Sequence, residues 1–166
     1  MESITKITIY EDTRQKANKH KTKNNYWKNN NVKVIRVKLE VGDYMLDLNG
    51  KVSIDTKQNI LELANNMFCD TIRFEKECIR AKNKGILLIF LIEEKFNKQQ
   101  LLDWKAPLSI SGNRFLNVFG WQILAKMKEY GKLFNVKFRC CHKLSSGKTI
   151  ITLLKYYSQD EKKRFL

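Results

Sequence analysis

Residues 42–57 read GDYMLDLNGKVSIDTK, and the way this stretch pairs with itself decides the fold around it. Asn49-Gly50 stands between apolar-rich flanks, with Tyr44, Met45, Leu46 and Leu48 before it and Val52 and Ile54 after it. This is the strongest short-range signal for a two-residue hairpin turn, because both turn positions take positive φ. Such a loop sets Leu48 opposite Lys51, Tyr44 opposite Asp55 and Asp43 opposite Thr56. Asp43 and Asp55 then lie on neighbouring strands, one step apart. Strand period puts Asp55 and Lys57 on one face, and Val52, Ile54 and Thr56 on the other. In that ideal register Asp43 points away from Asp55, so joining them requires a bulge or bend at the hairpin entrance, where Gly42 stands.

The chemistry of the stretch is that of a metal-dependent phosphodiesterase. Two carboxylates can hold a hard divalent ion such as Mg²⁺ or Mn²⁺ against a phosphate, and a neighbouring ammonium can orient the attacking water or offset developing negative charge. Asp55-Thr56-Lys57 supplies an acid and a lysine at the required spacing, and Asp43 supplies the second acid.

Working outward, Gly85–Glu93, GILLIFLIE, is apolar at both parities. It reads as a buried central strand, which requires helices on both faces of the sheet. Between it and the hairpin, Asn59 opens a short helix with Ile60, Leu63, Ala64 and Met67 on one side. Asp70-Thr71 opens a second over Ile72–Lys82, stopped at Gly85. On that second helix Arg73, Glu77 and Arg80 share a face, read as surface ion pairing, or as a phosphate contact from Arg73 with Glu77 supporting the site. Upstream, Lys6–Tyr10 alternates as a first strand delivering Asp12 and Arg14, and Val32–Leu39 alternates as a second with one irregular step. A sheet of about five strands is the simplest arrangement of these signals.

Asn18–Asn31 breaks the pattern. Rich in Lys and Asn, with His20, Tyr26 and Trp27, it reads as an exposed loop of about fourteen residues, long for a compact domain. Its lysines suit a phosphate backbone and Trp27 a stacked base. An insertion with Trp27 tucked on the core is the open alternative. Beyond Glu94, Phe96–Trp104 reads as a short helix and Pro107–Gly112 as a loop. Asn113–Phe134 reads as an amphipathic helix whose Phe115–Met127 stripe is core or, alternatively, a contact surface. Val136–Cys140 follows as a strand and Thr149–Tyr157 as a closing helix. Gly147-Lys148-Thr149 lacks the earlier glycine of a nucleotide-binding phosphate loop, since His142 stands there, so no nucleotide cofactor is expected.

Composition narrows the partners. Thirty-two Lys and Arg against seventeen Asp and Glu give the 166-residue chain a net charge of +15, which points to a polyanion and to binding that weakens with salt. The length suits one domain spanning 1–166, with a core over 1–95 and a helical part over 96–166. Cys69, Cys78, Cys140 and Cys141 form no C-x-x-C pair, which fits a reduced compartment better than a disulfide framework. Cys140-Cys141-His142 lacks a second ligand pair for zinc. No secretory leader or membrane span is read, and the longest apolar run is strand-sized.

The order Asp12-Thr13-Arg14-Gln15-Lys16, then Val41-Gly42-Asp43-Tyr44, then Ile54-Asp55-Thr56-Lys57 resembles the nuclease domain of XPF-type structure-specific endonucleases, in particular their phage and bacterial branch, within the restriction-endonuclease-like superfamily. The family pattern reads roughly V-D-x-R-E-x, G-D-Y and E-R-K-x-x-x-D. Gln15 and Asp55 each stand in place of its Glu, Thr56 in place of its Arg, and Leu61 in place of its last Asp, with Glu62 one place late. The resemblance thins beyond Glu94.

It implies an α/β, restriction-endonuclease-like fold with a mixed sheet flanked by helices on both faces. It implies a Mg²⁺- or Mn²⁺-dependent DNA endonuclease acting on branched or otherwise structured DNA. Asp12, Asp43, Asp55 and Lys57 are then the catalytic set, with Asp43, Asp55 and the Thr56 carbonyl on the metal. Arg14, Lys16, Lys21, Lys23, Trp27 and Arg73 are the expected DNA contacts. Further implications are a homodimer, no membrane, and the cytoplasm of a bacterial or phage-infected cell. A nuclease-fold module that binds nucleic acid without cutting it is the rival reading.

Overall fold

A computed structural model describes residues 7–15, 20–111 and 114–164. In chain order these form β1 (Thr8–Asp12), α1 (Lys21–Asn29), β2 (Lys33–Val37), β3 (Tyr44–Met45), β4 (Val52–Lys57), α2 (Ile60–Phe68), α3 (Thr71–Asn83), β5 (Leu87–Ile92), α4 (Lys98–Asp103), β6 (Lys105–Ser111), β7 (Arg114–Phe119), α5 (Gly120–Phe134), β8 (Lys137–Cys140) and α6 (Ser146–Arg164). Six strands build one mixed sheet in the order β2-β1-β3-β4-β5-β8, and β6 and β7 form a separate hairpin. The β1–β2, β4–β5 and β5–β8 pairs are parallel, while β3 runs antiparallel to both its neighbours. This is the expected α/β, restriction-endonuclease-like architecture, with one strand more in the sheet than the sequence suggested because β8 extends it.

The two-sided apolar pattern of β5 is realised residue by residue. Leu88, Phe90 and Ile92 enter one core with Leu63, Phe74 and Tyr130, while Leu87, Ile89 and Leu91 enter the other with Trp27, Ile150 and Leu154. Parallel strands covered on both faces need such continuous apolar runs. One face is therefore roofed by α2, α3 and α5, the other by α1 and α6. Asn59 caps α2 by accepting the Glu62 amide, and Gly85, at φ +63, ends the turn after α3.

Four expectations are corrected. First, Asn49-Gly50 makes no two-residue turn. β3 stops at Met45, neither residue takes positive φ, and Asp47 claims the turn by accepting the Asn49 amide on Oδ1 and the Gly50 amide on its carbonyl. An Asp side chain binding the backbone two residues on competes directly with a tight hairpin. Tyr44 consequently pairs with Ile54, not Asp55.

Second, residues 21–29 are helix α1, not an exposed loop, and Trp27 is fully buried, its Nε1 donating to the Gly147 carbonyl at 3.0 Å. Trp27 therefore cannot stack a base. Third, Lys23 is only 2% exposed and forms an ion pair with Glu93, so it too is withdrawn from DNA contact. Fourth, the expected loop and first helical turns fall on the paired strands β6 and β7 over 107–111 and 114–119, with Gly112 and Asn113 outside the described residues. Ala106, Leu108, Leu116 and Val118 face one another across the pair by strand alternation. The helix starts only at Gly120, where a Cβ would sit 1.5 Å from the Leu101 carbonyl.

Trp27 fills the core under α1 against Tyr44, ring centroids 5.3 Å apart. Trp27→Ala should cost about 3–5 kcal/mol of unfolding free energy by chemical denaturation, the scale of a large buried aromatic truncation. A base-stacking Trp27 would instead leave stability unchanged.

Candidate active site

The site forms where β3 ends and β4 runs on. Gly42 holds φ +70, and a Cβ there would lie 2.3 Å from Ser53 Oγ and 2.9 Å from the Ile54 carbonyl, so only glycine allows this close pass. Directly after it, the Asp43 amide donates to the Ile54 carbonyl at 2.7 Å while Tyr44 pairs with the same Ile54. Two residues facing one is the pattern of a bulge. The bend required at the hairpin entrance is thus present, and it delivers Asp43 to the open edge of β4. There Asp43 Oδ2 accepts from the Thr56 amide and the Thr56 hydroxyl, both at 2.8 Å, and Oδ1 accepts from Gln15.

Asp55 and Lys57 share a face as strand period requires, and their ion pair closes at 2.6 Å on Asp55 Oδ1. Among the described residues no donor besides that ammonium reaches this buried oxygen. Phe74 and Phe90 flank the Lys57 ammonium at 5.8 and 5.6 Å from their ring centres. Burial would lower the Lys57 ammonium, but Asp55, Asp43 and Glu77 outweigh it and hold it above its ordinary value. Burial first, then the Asp55 charge, pushes Asp43 from 3.8 up to about 7. Burial, then Asp55, likewise raises Glu77, which accepts the Gly42 amide at 3.1 Å. The lysine alone does not balance these carboxylates.

That imbalance is what a divalent cation relieves. Among the described residues no three His, Cys, Asp or Glu side chains form a ready cage. A donor set of two carboxylates and a carbonyl suits Mg²⁺ or Mn²⁺ all the same, because Mg²⁺ is held by one or two carboxylates and keeps several waters. Asp55 Oδ1, buried and held by the Lys57 ammonium, would supply one donor atom to it.

Asp12, also buried, is used differently. Its Oδ1 accepts the Leu39 amide at 3.1 Å, its Oδ2 pairs with Arg14, and its own amide donates to the Asp43 carbonyl at 2.9 Å. It fixes the segment that carries Gly42 and Asp43. Arg14 also donates to the Leu39 carbonyl, yet half its side chain faces the cleft. Arg73 pairs with Asp70 at the exposed rim, and Lys21 is exposed in the first turn of α1. Lys16 lies outside the described residues.

Three neighbours were underread. Glu77 carries no surface ion pair; it faces the cleft because Phe74 and Cys78 beside it are buried. Glu93 follows β5 and holds Lys23, and its signal was the first of two acids, Glu93-Glu94, at the carboxyl end of a buried parallel strand, where α/β sites gather. Gln15 bridges Asp43 and His20. An ionised Asp43 only accepts, so the Gln15 amide nitrogen faces it and Gln15 Oε1 faces His20 Nε2, which then carries the proton. Gln15, Glu77 and Glu93 line one cleft of roughly 290 Å³ with Asp12, Arg14, Asp43, Asp55 and Lys57.

A scan of protein-family models and a search of curated proteins return no significant match. Among solved structures, the chain is similar to XPF from Aeropyrum pernix, with TM-score 0.62 and 14% identity over 93% of this chain and 68% of that one. It is equally similar to the same protein in complex with DNA, with TM-score 0.63 and 14% identity over 93% of this chain and 66% of that one. At this identity the likeness is one of fold.

Between about pH 4 and 7 folded Asp43 keeps a proton that the unfolded chain has released, so its contribution to stability without metal falls as pH rises through that window. Asp43→Asn removes this slope. In EDTA the variant should gain on wild type by on the order of 2–4 kcal/mol between pH 4.5 and 8 in urea denaturation. Parallel pH profiles would rule out the shift.

Proposed function

We propose that the chain is a Mg²⁺- or Mn²⁺-dependent DNA endonuclease, acting on branched or otherwise structured DNA. The observation that carries this reading is the crowding of Asp43, Asp55 and Glu77 about a single charged Lys57 at one cleft of a +15 chain. The likeness of fold to XPF, one structure of which holds DNA, supports the substrate class. A bound divalent ion would polarise the scissile phosphate and lower the pKa of a water beside it.

The remaining work falls to the chain's own residues. Asp43, Asp55 and the Thr56 carbonyl hold the ion. Thr56 and Gln15 keep the Asp43 carboxylate from turning away. Lys57 stays protonated among the acids and donates to the attacked phosphate or aligns the water, its amine confined between two rings. Asp12 acts as a positioning residue, because it binds the Leu39 amide and Arg14 while its own amide holds the Asp43 carbonyl. Arg14 and Arg73 receive flanking phosphates at the rim.

One observation favours a second reading, a nuclease-fold module that binds DNA without cutting: Gln15 places an amide against Asp43 where the related pattern has a carboxylate. Metal dependence separates the two. Wild type and Asp55→Ala are compared on a flap, a fork, a four-way junction, a single strand and a duplex, with Mg²⁺, Mn²⁺ or EDTA. Cutting should require metal and drop at least about 100-fold in the variant, the scale of losing one group that stabilises the transition state. Undiminished cutting by Asp55→Ala would sink the assignment, and no cutting by wild type would favour the binding module.

The proposed homodimer has a matching surface in Phe115, Phe119 and Trp121, which are 64%, 42% and 59% exposed where β7 enters α5. Exposed apolar groups clustered this way mark an interaction face. Phe115→Ser with Trp121→Ser should turn a dimer into a monomer by sedimentation equilibrium, and a wild-type monomer at all concentrations would refute the pairing.

A further inference from the structure

We infer that a single DNA strand crosses the site along a continuous track, entering over Lys21 and Lys143 on one side and leaving over Lys38, Arg80 and Lys84 on the other. This rests on the nucleic-acid part of the reading above and adds the path the substrate takes.

The track follows from how three cavities join. The acidic cleft shares His20, Gln58 and Glu93 with a second cavity beside it, which is lined by Lys21 from α1 and by Lys143 from the 3₁₀ turn Lys143–Ser145 before α6. It shares Arg14 with a third, a groove between the segment after β2 and the carboxyl half of α3, lined by Lys38, Arg80 and Lys84. The acids thus sit between two basic openings.

Charge accounting at each opening leaves the cations in surplus. In the second cavity Glu93 is consumed by Lys23, both buried, so exposed Lys21 and Lys143 have no other acid among the lining residues. In the third, Glu40 is the sole carboxylate among the lining residues and pairs with Lys84, Arg14 pairs with Asp12, and Lys38 and Arg80 are left without an ion-pair partner among the described residues. Arg80 is held in place by the Glu40 carbonyl at 3.2 Å. Arg14 is held by the Leu39 carbonyl at 2.8 Å. These two guanidiniums are therefore fixed at the groove wall, with donors to spare for phosphate.

A polyanion lying only over the acids would be repelled. One that places its central phosphate there and its neighbours over the two basic openings meets attraction on both sides, and the arrangement fixes which phosphate faces Asp55 and Lys57. Contacts of this kind go to phosphate, so they set register and carry no base preference.

The test is binding of a labelled single strand and a fork by fluorescence anisotropy across a salt series in EDTA, with cleavage in Mg²⁺ or Mn²⁺ scored separately. Three neutralising variants are compared: Lys21→Ala with Lys143→Ala, Lys38→Ala with Arg80→Ala and Lys84→Ala, and a control of Lys128→Ala with Lys132→Ala and Lys155→Ala, exposed on α5 and α6. On the single strand the dependence of log affinity on log salt should become shallower by about 1.4 for the first and about 2.1 for the second, about 0.7 for each cation taken off a phosphate, while the control keeps the wild-type slope. That pattern supports the track even if no metal induces cutting, in which case only the endonuclease reading falls. Equal weakening in track and control variants would overturn the track, as would an effect on one side only or a wild type that does not bind DNA, even one that still cuts it.

Discussion

Everything at this site turns on holding the Asp43 carboxylate, buried, against the bare edge of β4. A carboxylate there is driven toward its protonated form by burial and by Asp55. The chain opposes that drive with hydrogen bonds. Two come from Thr56 and one from Gln15, and they stabilise the ionised form. Asp43 is left poised near neutrality, where its charge state depends on what else enters the cleft. The glycine before it, the bulge, and the Asp12 clasp on Leu39 all place that carboxylate within reach of β4.

Much of the fold was legible because the decisive signals were local. The unbroken apolar run of β5 dictated a two-faced sheet. Asn59, Asp70 and Gly85 punctuated α2 and α3 close to where they begin and end. What misled was a competition that sequence alone cannot rank. Asn49-Gly50 offered a tight turn and Asp47 offered its side chain, and the second won. The outcome moved the strand register by one residue, which in a period-two structure changes which side chains meet. The same competition misassigned 105–119, where apolar spacing over Phe115, Val118 and Phe119 fits a helical stripe as well as a strand. Gly120, pressed on the Leu101 carbonyl, is where the helix can begin.

The site was legible in part. Asp43, Asp55 and Lys57 were singled out from spacing and from the resemblance, and the structure brings them to one cleft. Asp12 was found for its position but acts through backbone amides that spacing cannot reveal. Lys23 was read as a surface group, and Trp27 as a stacking group or a core residue, because a Lys- and Asn-rich segment looks solvated. Each instead found a buried partner far along the chain, Glu93 and the Gly147 carbonyl. A buried lysine on a basic helix is visible only when the acid that neutralises it is known.

The Trp27–Gly147 contact carries one more consequence. Gly147 sits close against the Tyr26 side chain, whose Cδ1 and Cβ atoms would lie 3.0 and 3.2 Å from a Cβ placed there. Helix α1, which walls the cleft and supplies His20 and Lys21, is thereby seated on a helix made 120 residues later. On the ribosome, β1 through β5 emerge with the acidic cluster already encoded but without the seat for its wall. Here the geometry defers completion of the cleft until α6 has been synthesised.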